Sequence, residues 1–141
     1  MRAGSPAGLA PLLVGERLDS LRGLLDAAGV DALLVTSSTN IRYLTGFTGS
    51  AGSLWVDVDR AVLVTDGRYR DQAPDQTGAA GAVVEVVVMG GGDRSPIATL
   101  AGGCSSVGLE AGSITWAEQR RLAELLPSTP LATDGLVEGL R

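Results

Sequence analysis

The sequence predicts an α/β fold, a mixed sheet of about six strands with flanking helices. Three observations predict it. Short apolar runs recur along the chain and read as buried strands. Between them lie segments whose apolar residues are spaced by three and four, the mark of helices packed on one side. Finally, two of the apolar runs are separated only by Asp57-Val58-Asp59-Arg60, which makes them arms of a hairpin. Hairpin arms are antiparallel, so a sheet that also contains crossover helices has to be mixed.

Taken in order, Leu18, Leu21, Leu24, Leu25 and Ala28 form one apolar stripe over 16–28, and Gly29 stops that helix through a left-handed residue. Residues 31–36 (DALLVT) read as a strand entering the centre of the sheet. The polar turn 37–40 precedes one short helical turn over 40–44, capped by Ser38 or Thr39 and closed by Gly46. From Gly52 the period becomes two, with Leu54, Val56 and Val58 on one face and Ser53, Trp55 and Asp57 on the other. Residues 61–65 form the second hairpin arm. Asp66-Gly67 turns into a short helix from Arg68 that Pro74 breaks. Residues 82–89 alternate valines as a strand. Ser95-Pro96 opens a helix, and 105–109 is a short strand. Thr115-Trp116-Ala117-Glu118 is a capping box for a helix ending at Pro127, and 131–133 is a last strand.

Composition narrows the chemistry. A chain of 141 residues, 45% hydrophobic and 19% charged, suits one domain with a real core. A net charge of −5 argues against a nucleic-acid partner. No run of about 18 apolar residues exists, so no membrane span is expected. The single cysteine, Cys104, cannot close an internal disulfide, and a cytoplasmic location is the expectation. All eleven cationic side chains are arginines, which reads as coding bias. Above all, the chain has no histidine, so it cannot assemble a Ser-His-Asp or Cys-His pair or a histidine-bearing zinc site. No catalytic residue and no metal ligand is assigned.

Four features invite chemical readings and have plainer ones. Gly90-Gly91-Gly92 lacks phosphate-loop spacing and a lysine and is followed by Asp93, so it reads as a flexible connection. Asp57 and Asp59 could share a hard cation, yet aspartate is common where it supports a tight turn. Cys104 has no histidine to activate it and reads as a small, partly buried residue. Asp66, Arg68, Tyr69, Arg70 and Asp71 form a charged knot, either a carboxylate clamp or a self-satisfied helix start at an interface.

The stretch from Thr39 to Tyr69 holds four of the five aromatic residues and the glycine-rich bend 46–53. Asn40-Ile41-Arg42-Tyr43-Leu44-Thr45-Gly46-Phe47-Thr48-Gly49-Ser50, followed by Thr65-Asp66-Gly67-Arg68-Tyr69, resembles the amino-terminal domain of the Xaa-Pro peptidases, the creatinase, prolidase and aminopeptidase P family. The resemblance runs from about Glu16 to the last residue. It implies a creatinase/prolidase N-terminal domain of ribonuclease H-like architecture over 16–133, after a flexible leader at 1–15. Residues 134–141 would start a linker to a catalytic domain absent from this chain. That domain would hydrolyse the bond before proline with two divalent metal ions (Mn, Co or Zn), while this one, inactive alone and with no cofactor of its own, would shape the cleft. The partners implied are the chain's own C-terminal domain, a second subunit in a homodimer, and proline-containing peptides. Asn40, Arg42, Tyr43, Phe47, Thr48, Asp66, Arg68 and Tyr69 stand at motif positions and are the candidates for the substrate cleft or an interface. A free-standing binding or dimerisation module and the N-terminal domain of a creatinase-type amidinohydrolase remain the alternatives.

Overall fold

Leu18, Leu21 and Leu25 lie along one side of α1 (Arg17–Leu25) and are buried together against the sheet. Gly29, at φ +75°, lets the chain reverse, and the Val30 N–H then donates to the Leu25 carbonyl at 3.1 Å. The chain continues through β1 (Ala32–Val35), α2 (Ser38–Thr45), β2 (Ser53–Asp57), β3 (Ala61–Asp66) and a 3-10 turn (Gly67–Tyr69). It then runs through α3 (Gln72–Ala79), β4 (Glu85–Met89), α4 (Ser95–Ala101), β5 (Val107–Glu110), α5 (Trp116–Leu125), β6 (Leu131–Thr133) and a second 3-10 turn (Glu138–Leu140). The computed structural model describes residues 14–90 and 95–141. The leader expected over 1–15 therefore falls outside the described residues except for Val14 and Gly15, as do Gly91, Gly92 and Asp93.

The six strands form one sheet in the order β4-β3-β2-β1-β5-β6. β2 pairs antiparallel with both β1 and β3, whereas β1–β5, β3–β4 and β5–β6 are parallel. Five strands thus point one way and β2 alone points back. Successive residues face opposite sides: Leu33, Val35, Leu54, Val56 and Leu63 meet α1, α2 and Ala73 of α3, while Leu34, Trp55, Val62, Val64 and Leu109 meet α4 and α5. Both faces are covered, which is why the central strands read as nearly continuous apolar runs.

Local chemistry accounts for where the elements differ from expectation. The cap of α2 is Ser37, not Ser38 or Thr39; its side chain accepts from the Asn40 N–H, and the helix is two turns long. Pro74 does not break a helix, because it occupies the third position of α3, where no intrahelical N–H bond is lost. Val58 lies in the hairpin turn, 68% exposed, instead of sharing the face of Leu54 and Val56. In that turn the Asp57 carboxylate accepts from the N–H groups of Asp59 and Arg60 at 2.9 and 2.8 Å and from the Trp55 indole at 2.8 Å. Burial alone would raise its pKa; these donors and the Arg60 charge outweigh it and hold the carboxyl below the ordinary value. The Thr115 cap is as expected, accepting from the Glu118 N–H at 3.1 Å. Over 134–141, where a linker is expected to start, the chain makes a 3-10 turn and inserts Val137 into the core. Among the described residues no helix is long and apolar enough to cross a membrane.

Candidate functional site

The strand directions gather the C-terminal ends of β1, β3, β4, β5 and β6, together with the start of β2, along one edge of the sheet. In open α/β sheets that edge carries the ligand crevices, because the connecting loops diverge there to either face. The eight candidates lie along it, on α2, the 46–52 loop and the 66–69 turn, but they do not form one cluster.

The loop is built on Phe47. Its ring is 1% exposed, so it is a floor and not a wall. Tyr69 meets it edge-on, with ring centroids 5.4 Å apart at 85°. Gly49 crosses the ring so closely that a Cβ there would stand 2.2 Å from Phe47 Cζ. Above this floor the Tyr69 hydroxyl accepts from the Ser50 N–H at 3.0 Å and lies 2.6 Å from the Ser50 hydroxyl. Those contacts pull the Tyr69 phenol below its ordinary pKa. The other end of the loop is held from α3. The Thr48 N–H donates to Gln76 Oε1 at 3.0 Å, and the Thr48 hydroxyl accepts from Gln76 at 2.9 Å and Gln72 at 3.3 Å.

Arg68 and Asp66 form a chelate. The guanidinium donates through Nε and Nη2 to both carboxylate oxygens, closest at 2.8 Å, and lies 5.2 Å from the Tyr69 ring centroid. The side-chain bonds from Arg68 hold the Asp66 carboxyl below its ordinary value, and Asp66 in turn raises that of Arg68. A ligand carboxylate would have to compete with Asp66 for this arginine. Arg42 is exposed on α2.

Asn40 and Tyr43 turn inward. Asn40, 0% exposed, donates through Nδ2 to Glu110 Oε2 and, at 3.0 Å, to Glu138 Oε2. Glu110 is itself buried at 6% exposure, and its other oxygen accepts from the N–H groups of Thr36 and Ser37 at 2.8 and 3.0 Å. Those donors lie immediately before α2, where the helix dipole also favours an anion. Two carboxylates need the N–H side of one amide, so Asn40 Oδ1 faces the interior with no partner among the described residues. Tyr43 donates to the Leu140 carbonyl at 2.7 Å, while Arg17 lies 4.1 Å over its ring and donates to the Tyr43 carbonyl at 2.8 Å.

Sequence reasoning missed Glu110, Glu138, Gln72 and Gln76. One local signal was available for Glu110: a carboxylate closing the apolar strand that ends at Leu109, just where a buried strand meets a crevice. Cys104 lies at the opposite end of the sheet beside Asp31 and Asp57, in a cavity of about 570 Å³, its thiol pushed up by burial and then by those two carboxylates. It is remote from the candidate edge. Among the described residues no three Cys, Asp or Glu side chains group as a metal site requires.

A sequence profile described as the creatinase/prolidase N-terminal domain matches residues 17–141. The chain belongs to that family. A relative, the uncharacterized peptidase YqhT of Bacillus subtilis (strain 168), is 40% identical over 105 residues, 71% of this chain and 28% of its own length. The chain thus spans little more than a quarter of that protein. Among solved structures, an Xaa-Pro dipeptidase from Bacillus anthracis superposes with a TM-score of 0.82 and 32% identity, over 89% of this chain and 35% of its own. The N-terminal domain of cytoplasmic peptidase PepQ from Mycobacterium tuberculosis H37Rv gives a TM-score of 0.80 and 34% identity, over 90% of this chain and 99% of its own. The mixed six-stranded α/β architecture is that of these creatinase/prolidase N-terminal domains.

Proposed function

We propose that this creatinase/prolidase N-terminal domain serves a Xaa-Pro metallopeptidase as its non-catalytic part. The 46–52 loop and the 66–69 turn form one wall of the substrate cleft, and a C-terminal domain of the longer protein hydrolyses the bond before proline. The observation that carries the reading is one of extent: the family match fills residues 17–141, and the chain is nearly coextensive with the separately solved N-terminal domain of a peptidase. Two divalent metal ions bridging a water would supply the nucleophile in that other domain. No residue here is assigned to hold them, since the chain has no histidine and, among the described residues, no three Cys, Asp or Glu side chains group as a metal site requires.

What this chain's own side chains contribute is position. Phe47 and the two glutamines of α3 hold the loop, and the Tyr69 hydroxyl and Arg68 present polar groups at its lip. A homodimer and a cytoplasmic location complete the proposal, as does selection of peptide length by the cleft wall. The test compares this chain with the longer protein, side by side, on Xaa-Pro dipeptides and longer Xaa-Pro peptides with manganese or cobalt. The longer protein is expected to cleave and the 141-residue chain to be inert. Turnover by the purified short chain, with contaminating proteases excluded, refutes the assignment.

A further inference from the structure

α2 is gripped from the tail at two points. Near its start Asn40 holds Glu138, and one turn further on Tyr43 holds the Leu140 carbonyl. Between these bonds Val137 is fully buried, with Leu136 and Leu140 packed against the same cluster as Ile41 and Leu44 of α2. The tail is internally ordered by Gly135 at φ +68°, by the Gly139 N–H on the Gly135 carbonyl at 2.8 Å and by the Leu140 N–H on the Val137 carbonyl at 2.9 Å.

The other end of α2 leads straight into the loop. Gly46 closes the helix at φ +82° with its N–H on the Arg42 carbonyl at 2.8 Å. Its backbone lies so close to Ala80 that a Cβ there would stand 2.7 Å from the Ala80 methyl. Thr45 reaches back to the Ile41 carbonyl at 2.7 Å and accepts the Phe47 N–H at 3.2 Å. The helix start is anchored as well, by the Ser37 cap and by Glu110 on the Thr36 and Ser37 N–H groups. An eight-residue helix fixed at its start, its middle and its end moves as one body.

We propose that α2 is a coupling helix: it ties residues 134–141 to the 46–52 loop at the sheet edge, so that loosening the tail loosens the loop. The chain's exit and the wall of the crevice then form one mechanical unit, and a pull on the tail is felt at Phe47. The coupling concerns this chain alone and stands whether or not the longer protein is a peptidase.

Amide hydrogen exchange followed by mass spectrometry on the intact 141-residue chain tests it, with Glu138→Ala and Tyr43→Phe singly and together. Each variant removes one grip, from an exposed side chain or from a hydroxyl whose ring stays in place. Exchange of the Gly139, Leu140 and Arg141 amides is expected to quicken roughly fivefold per grip and about 25-fold for both. The Phe47, Thr48 and Ser50 amides should quicken in step, and β4, the outermost strand beyond β3, should not change. A looser tail with unchanged loop amides overturns the coupling, and an unchanged tail in the double variant overturns the grip. If protection in β4 also falls in the double variant, Tyr43→Phe alone decides by the same two comparisons.

Discussion

Replacing Gly49 by alanine tests the idea that the glycine bend exists to let backbone cross an aromatic floor. The added methyl would stand 2.2 Å from Phe47 Cζ and 2.8 Å from Cε1, well inside contact distance. Phe47 has no room to yield, being 1% exposed with Tyr69 against it. Two effects oppose each other. Gly49 is not in the left-handed region, so alanine would stabilise by about 0.4–1 kcal/mol through the unfolded chain. Overpacking against a fixed ring costs about 1–3 kcal/mol. The clash wins, for a net loss of roughly 1–2 kcal/mol. Urea unfolding followed by tryptophan fluorescence reads this as a lower midpoint at unchanged slope. The decisive comparison is the double variant Gly49→Ala with Phe47→Leu, in which the smaller side chain makes room. A coupling of about 1 kcal/mol or more is expected between the two sites. If Gly49→Ala is as stable as the parent, or the two changes simply add, Phe47 is not the reason for the glycine.

Three further outcomes follow from the same geometry. Asp57→Ala strips the acceptor from two turn N–H groups and from the Trp55 indole; a loss of roughly 1–3 kcal/mol is expected in urea unfolding. Tyr69→Phe keeps the ring on Phe47 but removes the hydroxyl from Ser50; about 0.5–1.5 kcal/mol should be lost, with faster exchange confined to the Ser50 amide and its neighbours. Glu138 is held below its ordinary pKa first by the Asn40 side chain, as Asp57 is by its donors, so both add stability that is complete above the unfolded carboxylate range of about 4 and vanishes as pH falls through their lower folded values. Unfolding midpoints should therefore be level from neutral pH down to about 5 and fall below about 4, and Glu138→Gln should shallow that fall. A fall as steep as the parent's in Glu138→Gln excludes the Asn40 bond as a contributor.

Much of the architecture was legible because it closes locally. The α1 stripe, the Gly29 and Gly46 stops, the Thr115 cap and the hairpin around Asp57 each depend on bonds spanning a few residues, and so on residue types a few positions apart. The errors were local as well. Pro74 is a helix breaker only where an N–H bond would be lost, and the third position of α3 has none to lose. Ser37 won the α2 cap over Ser38 and Thr39 because β1 ends at Val35 and leaves Ser37 in extended backbone.

The candidate edge was only half legible. Amino-acid order settled that this chain has an α/β core, carries the motif of its family, and lacks any imidazole; each follows from residue types and their spacing. Tertiary structure alone decided that β5 lies beside β1, which places Glu110 at the start of α2, 70 residues away from Asn40 along the chain. It likewise turned Phe47 and Asn40 inward and brought Glu138 back across 98 residues to meet Asn40. A periodicity records how a side chain faces its own element, whereas a partner that far along the chain is chosen by strand order and by the volume the core has left to fill.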